Sequence, residues 1–164
     1  MITVPSVGPL SASEEIEEWL ISKPIAVPYF DGLEMTFILD GFADESADEE
    51  EIGIDPEVEK AIEQAVRAFL SLGANDRKVA GESVFQYFRK TLDALGEDQV
   101  AVAIDSADEV WEYVEPTEIF VIPGDEGENA IYIMIAAECD WDPEHGLQLV
   151  YRGGNELVRV GAQD

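Results

Sequence analysis

Between positions 56 and 73 the apolar residues Val58, Ala61, Ile62, Ala65, Val66, Phe69 and Leu70 recur at intervals of three and four. That is the period of an α-helix with one buried stripe, and no strand tolerates it. Asp55-Pro56 supplies the start, with Asp as N-cap and Pro at the first helical position, where its missing N–H goes unneeded. Gly73 is placed to stop the helix. A second helix is predicted from Asp76 or Ser83 to Leu95, ending at Gly96, with Val84, Phe85, Phe88, Leu92 and Leu95 turned inward. The short connection makes the two helices antiparallel neighbours in a helical hairpin. Four of the nine bases, Arg77, Lys78, Arg89 and Lys90, fall on the second helix.

A helical stripe must be buried against something, and the flanking sequence supplies strands. Residues 25–30 and 34–39 read as a hairpin joined through Asp31-Gly32, since both turn residues tolerate positive φ. Pro24 and Pro28 put the first of these strands at a sheet edge. After Pro116, residues 119–122, 131–137, 147–152 and 157–160 read as four strands in an antiparallel meander. Residues 1–10, with Pro5, Gly8 and Pro9, read as an extended or loose lead-in. Ser11 and Glu14 have capping-box spacing, which predicts a short helix through Ile16, Trp19 and Leu20 to about Ser22. Residues 100–104 are ambiguous, and Asp105-Ser106 caps a one- or two-turn helix through Val110, Trp111 and Val114. The expected class is α+β: one domain over 1–164, its antiparallel sheet (N-terminal hairpin plus four-strand meander) packed on a helical hairpin and short helices.

Charge bounds the function. Thirty-seven acids against nine bases leave a formal charge of −28. Such a field repels nucleic-acid phosphates and anionic lipid headgroups, so neither nucleic acid nor a membrane is an expected partner. It attracts cations: a basic protein, a divalent metal or a polyamine. Surface solubility or a salty cell interior would account for the same excess. The lone cysteine, Cys139, excludes an intramolecular disulfide and suits a reducing, cytoplasmic compartment. The N-terminus lacks the basic and apolar regions of a signal peptide, and the longest apolar run, 130–137, is of strand length.

Two segments gather polar side chains. Residues 40–54 form an acidic loop with Asp44, Glu45, Asp48, Glu49, Glu50 and Glu51, which is either a solvated loop or a surface for a basic partner. The second segment, Cys139 to Gln148, brings together the only cysteine, the only histidine, three carboxylates and Trp141. Structural zinc needs paired ligand spacings, and none completes a set with Cys139 and His145. A calcium loop counted from Asp140 would need glycine and glutamate where His145 and Tyr151 stand. Surrounding carboxylates oppose a Cys139 thiolate. No Gly-rich phosphate loop or H-E-x-x-H is present. No catalytic residue, metal ligand set or cofactor is assigned. As a turn, Asp142-Pro143-Glu144-His145-Gly146 has Pro and Gly in suitable places, with Trp141 covering the core and Asp142 or Glu144 bonded to His145. As a recognition surface, Asp140, Trp141, Asp142, Glu144 and His145 would face a partner.

The run Cys139-Asp140-Trp141-Asp142-Pro143-Glu144-His145-Gly146-Leu147, with the strand to Arg152, Gly154 and residues 157–160, resembles the C-terminal C-x-W-x-x-E-H-G-L signature of a family of uncharacterised bacterial domains. Small acidic proteins of this kind often occur beside toxin systems as immunity proteins. The resemblance thus implies an inhibitor or immunity role, and the net charge, the acidic loop and the lack of a catalytic constellation together point to a non-enzymatic interaction protein for a basic partner. The alternative is a small enzyme or metal-binding domain centred on Cys139, Glu144 and His145.

Overall fold

The computed structural model describes residues 2–13, 19–42, 56–96, 98, 100, 102–124 and 130–163. In chain order the elements are β1 (Ile2–Val4), β2 (Gly8–Ala12), β3 (Trp19–Ser22), β4 (Ile25–Val27), a 3-10 turn (Pro28–Phe30), β5 (Leu33–Met35) and β6 (Phe37–Asp40). There follow α1 (Pro56–Leu70), α2 (Ala74–Leu95), a 3-10 helix (Ala107–Tyr113), β7 (Val114–Pro123), β8 (Ile131–Cys139), β9 (Leu147–Arg152) and β10 (Glu156–Gly161). Eight strands form one sheet in the order β1-β2-β3-β6-β7-β8-β9-β10, and β4–β5 stand apart as a ribbon. The fold is α+β, as the sequence indicates.

All pairs in the large sheet are antiparallel except β6–β7. A parallel pair needs a long crossover, and here the crossover carries α1, α2 and the 3-10 helix. α1 lies against β8 and β1, and α2 against β10, the 3-10 helix and the Pro28–Phe30 turn. Both helices are seated on the sheet. The stripe read from the sequence does the burying: Ile62, Ala65, Val66 and Phe69 on α1, Val84 and Phe88 on α2. They meet Phe37, Leu39, Ile133, Ile135, Ala137 and Leu149 in one continuous core. Leu95 departs from the expected stripe and is 52 % exposed. Helix α2 begins at Ala74, ahead of either expected start, because the Asp76 carboxylate accepts from the Gly73 N–H at 2.9 Å and caps it there.

The N-terminal residues correct the sequence reading. Residues 2–4 and 8–10 are extended as expected, but they pair as a hairpin with Val4, Val7 and Leu10 buried. The expected helix over 11–22 is absent at both described ends, Ser11–Ser13 and Trp19–Ser22, while residues 14–18 lie outside the described ones. Trp19–Ser22 is a strand held on both sides, Leu20 opposite Ala12 and also Leu39. Two ladders outweigh one capping box, which is a local and modest signal. The Asp31-Gly32 turn is as expected, with φ of 59° and 87°. The strand expected over 34–39 breaks at Thr36: Leu33–Met35 joins β4 and Phe37–Asp40 joins the main sheet. The helix expected to run to Val114 gives way there to β7, which accommodates Pro116 beside an irregularity in register.

At the centre of the core, the Tyr29 and Tyr151 hydroxyls lie 2.8 Å apart. Burial, then the neighbouring Tyr151, raises Tyr29 far above the ordinary phenol range. Burial pushes Tyr151 up to about 12. Both must stay neutral to remain inside, so their contribution to stability is intact below the unfolded value near 10. It is lost as pH rises from there through the folded values. Stability should fall above about pH 10 by about 1.4 kcal/mol per pH unit for each tyrosine. Denaturant melts across pH 8–12, with tyrosinate absorbance followed in parallel, should show the Tyr29→Phe variant with a shallower decline.

The sheet has two faces. One carries the helices. On the other, Trp19, Ile21, Phe120, Ile122, Tyr132, Met134 and Val150 are half-buried.

Candidate functional site

The Cys139–Gly146 segment joins β8 to β9 and is held from three sides. Gly146, at φ 66°, donates its N–H to the Asp142 carbonyl at 2.9 Å, closing the turn. The Asp142 carboxylate accepts the His145 N–H at 3.3 Å, and His145 Nδ1 lies 2.9 Å from Oδ1. From α2, the Tyr87 hydroxyl reaches both Asp142 Oδ2 (3.2 Å) and the Gly146 carbonyl (2.9 Å). From the C-terminus, Gln163 donates its N–H to the His145 carbonyl and its amide to the Ala137 and Leu147 carbonyls. Trp141 is only 2 % exposed and sits edge-on to Tyr87 and Phe88, ring centres 5.9 and 5.8 Å away.

This geometry separates the residues the sequence brings together. Trp141 points inward and offers no surface to a partner. Asp142 is half-buried and committed to the turn. Asp140, Glu144 and His145 are exposed. Glu144 and His145 line a depression of about 350 Å³ with Glu118 and Glu138. Asp44, Glu45, Asp48, Glu49, Glu50 and Glu51 lie outside the described residues.

The chemistry at Cys139 is unreactive. Burial pushes its thiol up to about 12, and the Asp142 and Asp140 carboxylates add to the effect. The buried Sγ lies 3.7 Å from the Asp142 carbonyl, to which it donates. A protonated, enclosed thiol is a poor nucleophile and a poor metal ligand. Among the described residues no group of three or more His, Cys, Asp or Glu side chains could hold a metal ion. Nor is any helix among them long and apolar enough to cross a membrane.

Sequence reasoning missed the face of the sheet turned away from the helices, which no described element covers. A concavity of about 700 Å³ opens there, lined by Phe120, Ile122, Tyr132, Met134 and Val150, with Arg159 at its margin. The signal was present: residues 131–137 and 119–122 are apolar at both alternating positions, which equips both faces for burial. Such strands read as core whichever way their second face is turned.

A family model described as a domain of unknown function, DUF6985, matches residues 7–164, and the chain belongs to that family. No curated protein and no solved structure matches it.

Proposed function

We propose that this member of the DUF6985 family is a non-enzymatic interaction domain whose acidic surface engages a basic protein. One observation carries the reading: a formal charge of −28 from 37 acids and nine bases. A field of that size steers a cationic partner into fast, salt-sensitive association and repels nucleic acid and anionic lipid. The acids around the β8–β9 turn, the exposed Glu138, Asp140 and Glu144 and the half-buried Glu118, lie within that field, and the acids of residues 44–51 add to it. The turn itself serves the fold, because its polar groups bond one another and its thiol is held protonated.

Within this reading the protein is an inhibitor or immunity protein of the bacterial cytoplasm. The resemblance of residues 139–147 to the C-x-W-x-x-E-H-G-L run supports that role, and the lone reduced cysteine supports the compartment. The test is a tagged full-length bait in lysate of the source cell, washed at low and high salt, with the eluate identified by mass. One basic protein near stoichiometry, released by salt, is the expected result. A folded bait that retains no basic protein would contradict it. So would a complex that survives about 1 M salt, where the screening length is roughly 3 Å.

A further inference from the structure

We propose that the face of the sheet turned away from the helices is where the basic partner docks, with an apolar row at its centre and a carboxylate cluster at one end. This rests on the interaction reading above and adds the surface and the chemistry of what fits it.

The first observation is register. A sheet with helices on one side ordinarily turns polar side chains to the other. Here Ile21 stands opposite Ile38, Ile38 opposite Phe120, Phe120 opposite Met134, and Met134 opposite Val150. Five adjacent strands thus place an apolar side chain in one line, about 19 Å long at the usual strand spacing. Arg159 on β10 stands opposite Val150 and closes the row. Trp19 meets Phe120 edge-on at 5.3 Å, which gives the row a rigid aromatic anchor. Ile38 and Ala136 are buried on this face, yet they stand apart from the core under the helices. The half-buried side chains of Phe120, Met134 and Val150 line a shallow apolar concavity that an apolar ridge of a partner would fill.

The second observation is charge. At the end of the face nearest the β8–β9 turn, Glu115 stands opposite Glu138 across β7–β8, and Glu118 stands opposite Ala136. Like charges directly opposite on a sheet are destabilising. None of these three carboxylates has an ion pair among the described residues. Lysine or arginine side chains brought by a partner would relieve that repulsion on docking. A second copy of the chain would bring its own net charge of −28 up against this one, so self-association is opposed where a basic partner is favoured. The occupant is therefore a basic protein presenting an apolar ridge flanked by lysine or arginine.

Three full-length baits test this in the same lysate: the native chain, Met134→Ser, and the double variant Glu115→Gln/Glu138→Gln. Zero-length carbodiimide cross-linking of carboxylates to partner lysines then maps the contact. Met134→Ser, with an unchanged circular dichroism spectrum, is expected to weaken capture of the basic protein about tenfold or more. The double glutamine variant should melt about 1–3 °C higher in the free state, because the repulsion is gone. It should nevertheless bind about tenfold more weakly, a combination that a folding defect does not produce. Cross-links should run from Glu115, Glu118 or Glu138. A basic protein captured equally by all three baits overturns this docking face while leaving the interaction reading standing. A native bait that captures no salt-sensitive basic protein removes that reading, and this inference with it. A homodimer dissociated by Met134→Ser overturns the choice of partner.

Discussion

Gly154→Ala is expected to lower the melting temperature by about 8–16 °C, the largest drop of any glycine-to-alanine change among the described residues. Gly154 is buried in the β9–β10 turn at φ 92°, a conformation that side chains resist. A Cβ there would fall on the Ala65 carbonyl oxygen and crowd the Phe69 nitrogen, both in the backbone of α1. Helix backbone cannot rotate aside as a side chain can, so α1 would have to lift from the sheet. That movement would disturb Phe69, which packs against Tyr29, Phe37 and Tyr151. Backbone strain of about 1–3 kcal/mol and overpacking of about 1–3 kcal/mol together give about 4 kcal/mol. For a chain of this size each kcal/mol shifts the melt by about 2–4 °C. The adjacent Gly153 is the control: it also has positive φ, at 65°, but an added Cβ meets nothing within 4 Å. Gly153→Ala should therefore cost only about 1 kcal/mol. Thermal melts of the two variants that coincide would refute the close-approach explanation.

Trp141→Ala should cost about 3–5 kcal/mol, the usual range for truncating a buried aromatic. The side chain fills the space between the turn and the Tyr87–Phe88 stretch of α2, and its removal would also loosen the Asp142–Tyr87 contact. Trp141→Phe should be far milder, below about 1.5 kcal/mol. The buried Trp141 Nε1 has no hydrogen-bond partner among the described residues, so the indole N–H carries a desolvation cost that phenylalanine lacks. Urea denaturation of both variants separates packing from hydrogen bonding at this position. Equal losses would mean that the indole N–H has a partner in the folded protein.

What the sequence reveals of this fold depends on whether the deciding contacts are local. The α1 stripe is legible because Val58 to Leu70 carry both its period and its start. The Asp31-Gly32 turn is legible because its backbone conformation depends on those two residues. Trp19–Ser22 is misread because its strand state is imposed by β2 on one side and β6 on the other, and neither partner is visible in a capping-box spacing. The parallel adjacency of β6 and β7 is hidden for the same reason, being a property of the crossover between them. At the turn, the bond from Asp142 to His145 is within reach of sequence reasoning. The burial of Trp141 against Phe88 is not, since it needs α2 brought across from over fifty positions away. The open face was concealed differently. Phe120, Ile122, Tyr132 and Met134 are plainly apolar in the sequence, but a fully apolar strand looks the same whether its second face meets another layer or is left for a partner.

The most direct measurement of the central claim is the association rate constant with the captured basic protein as a function of ionic strength, alongside the dissociation rate. Steering by the acidic field requires association to slow by at least about tenfold between low and high salt. Dissociation should also quicken with salt as the carboxylate contacts are screened, though less than association slows, and at fixed salt it should accelerate in Met134→Ser. An association rate indifferent to salt would contradict the claim that the charge of this protein selects its partner.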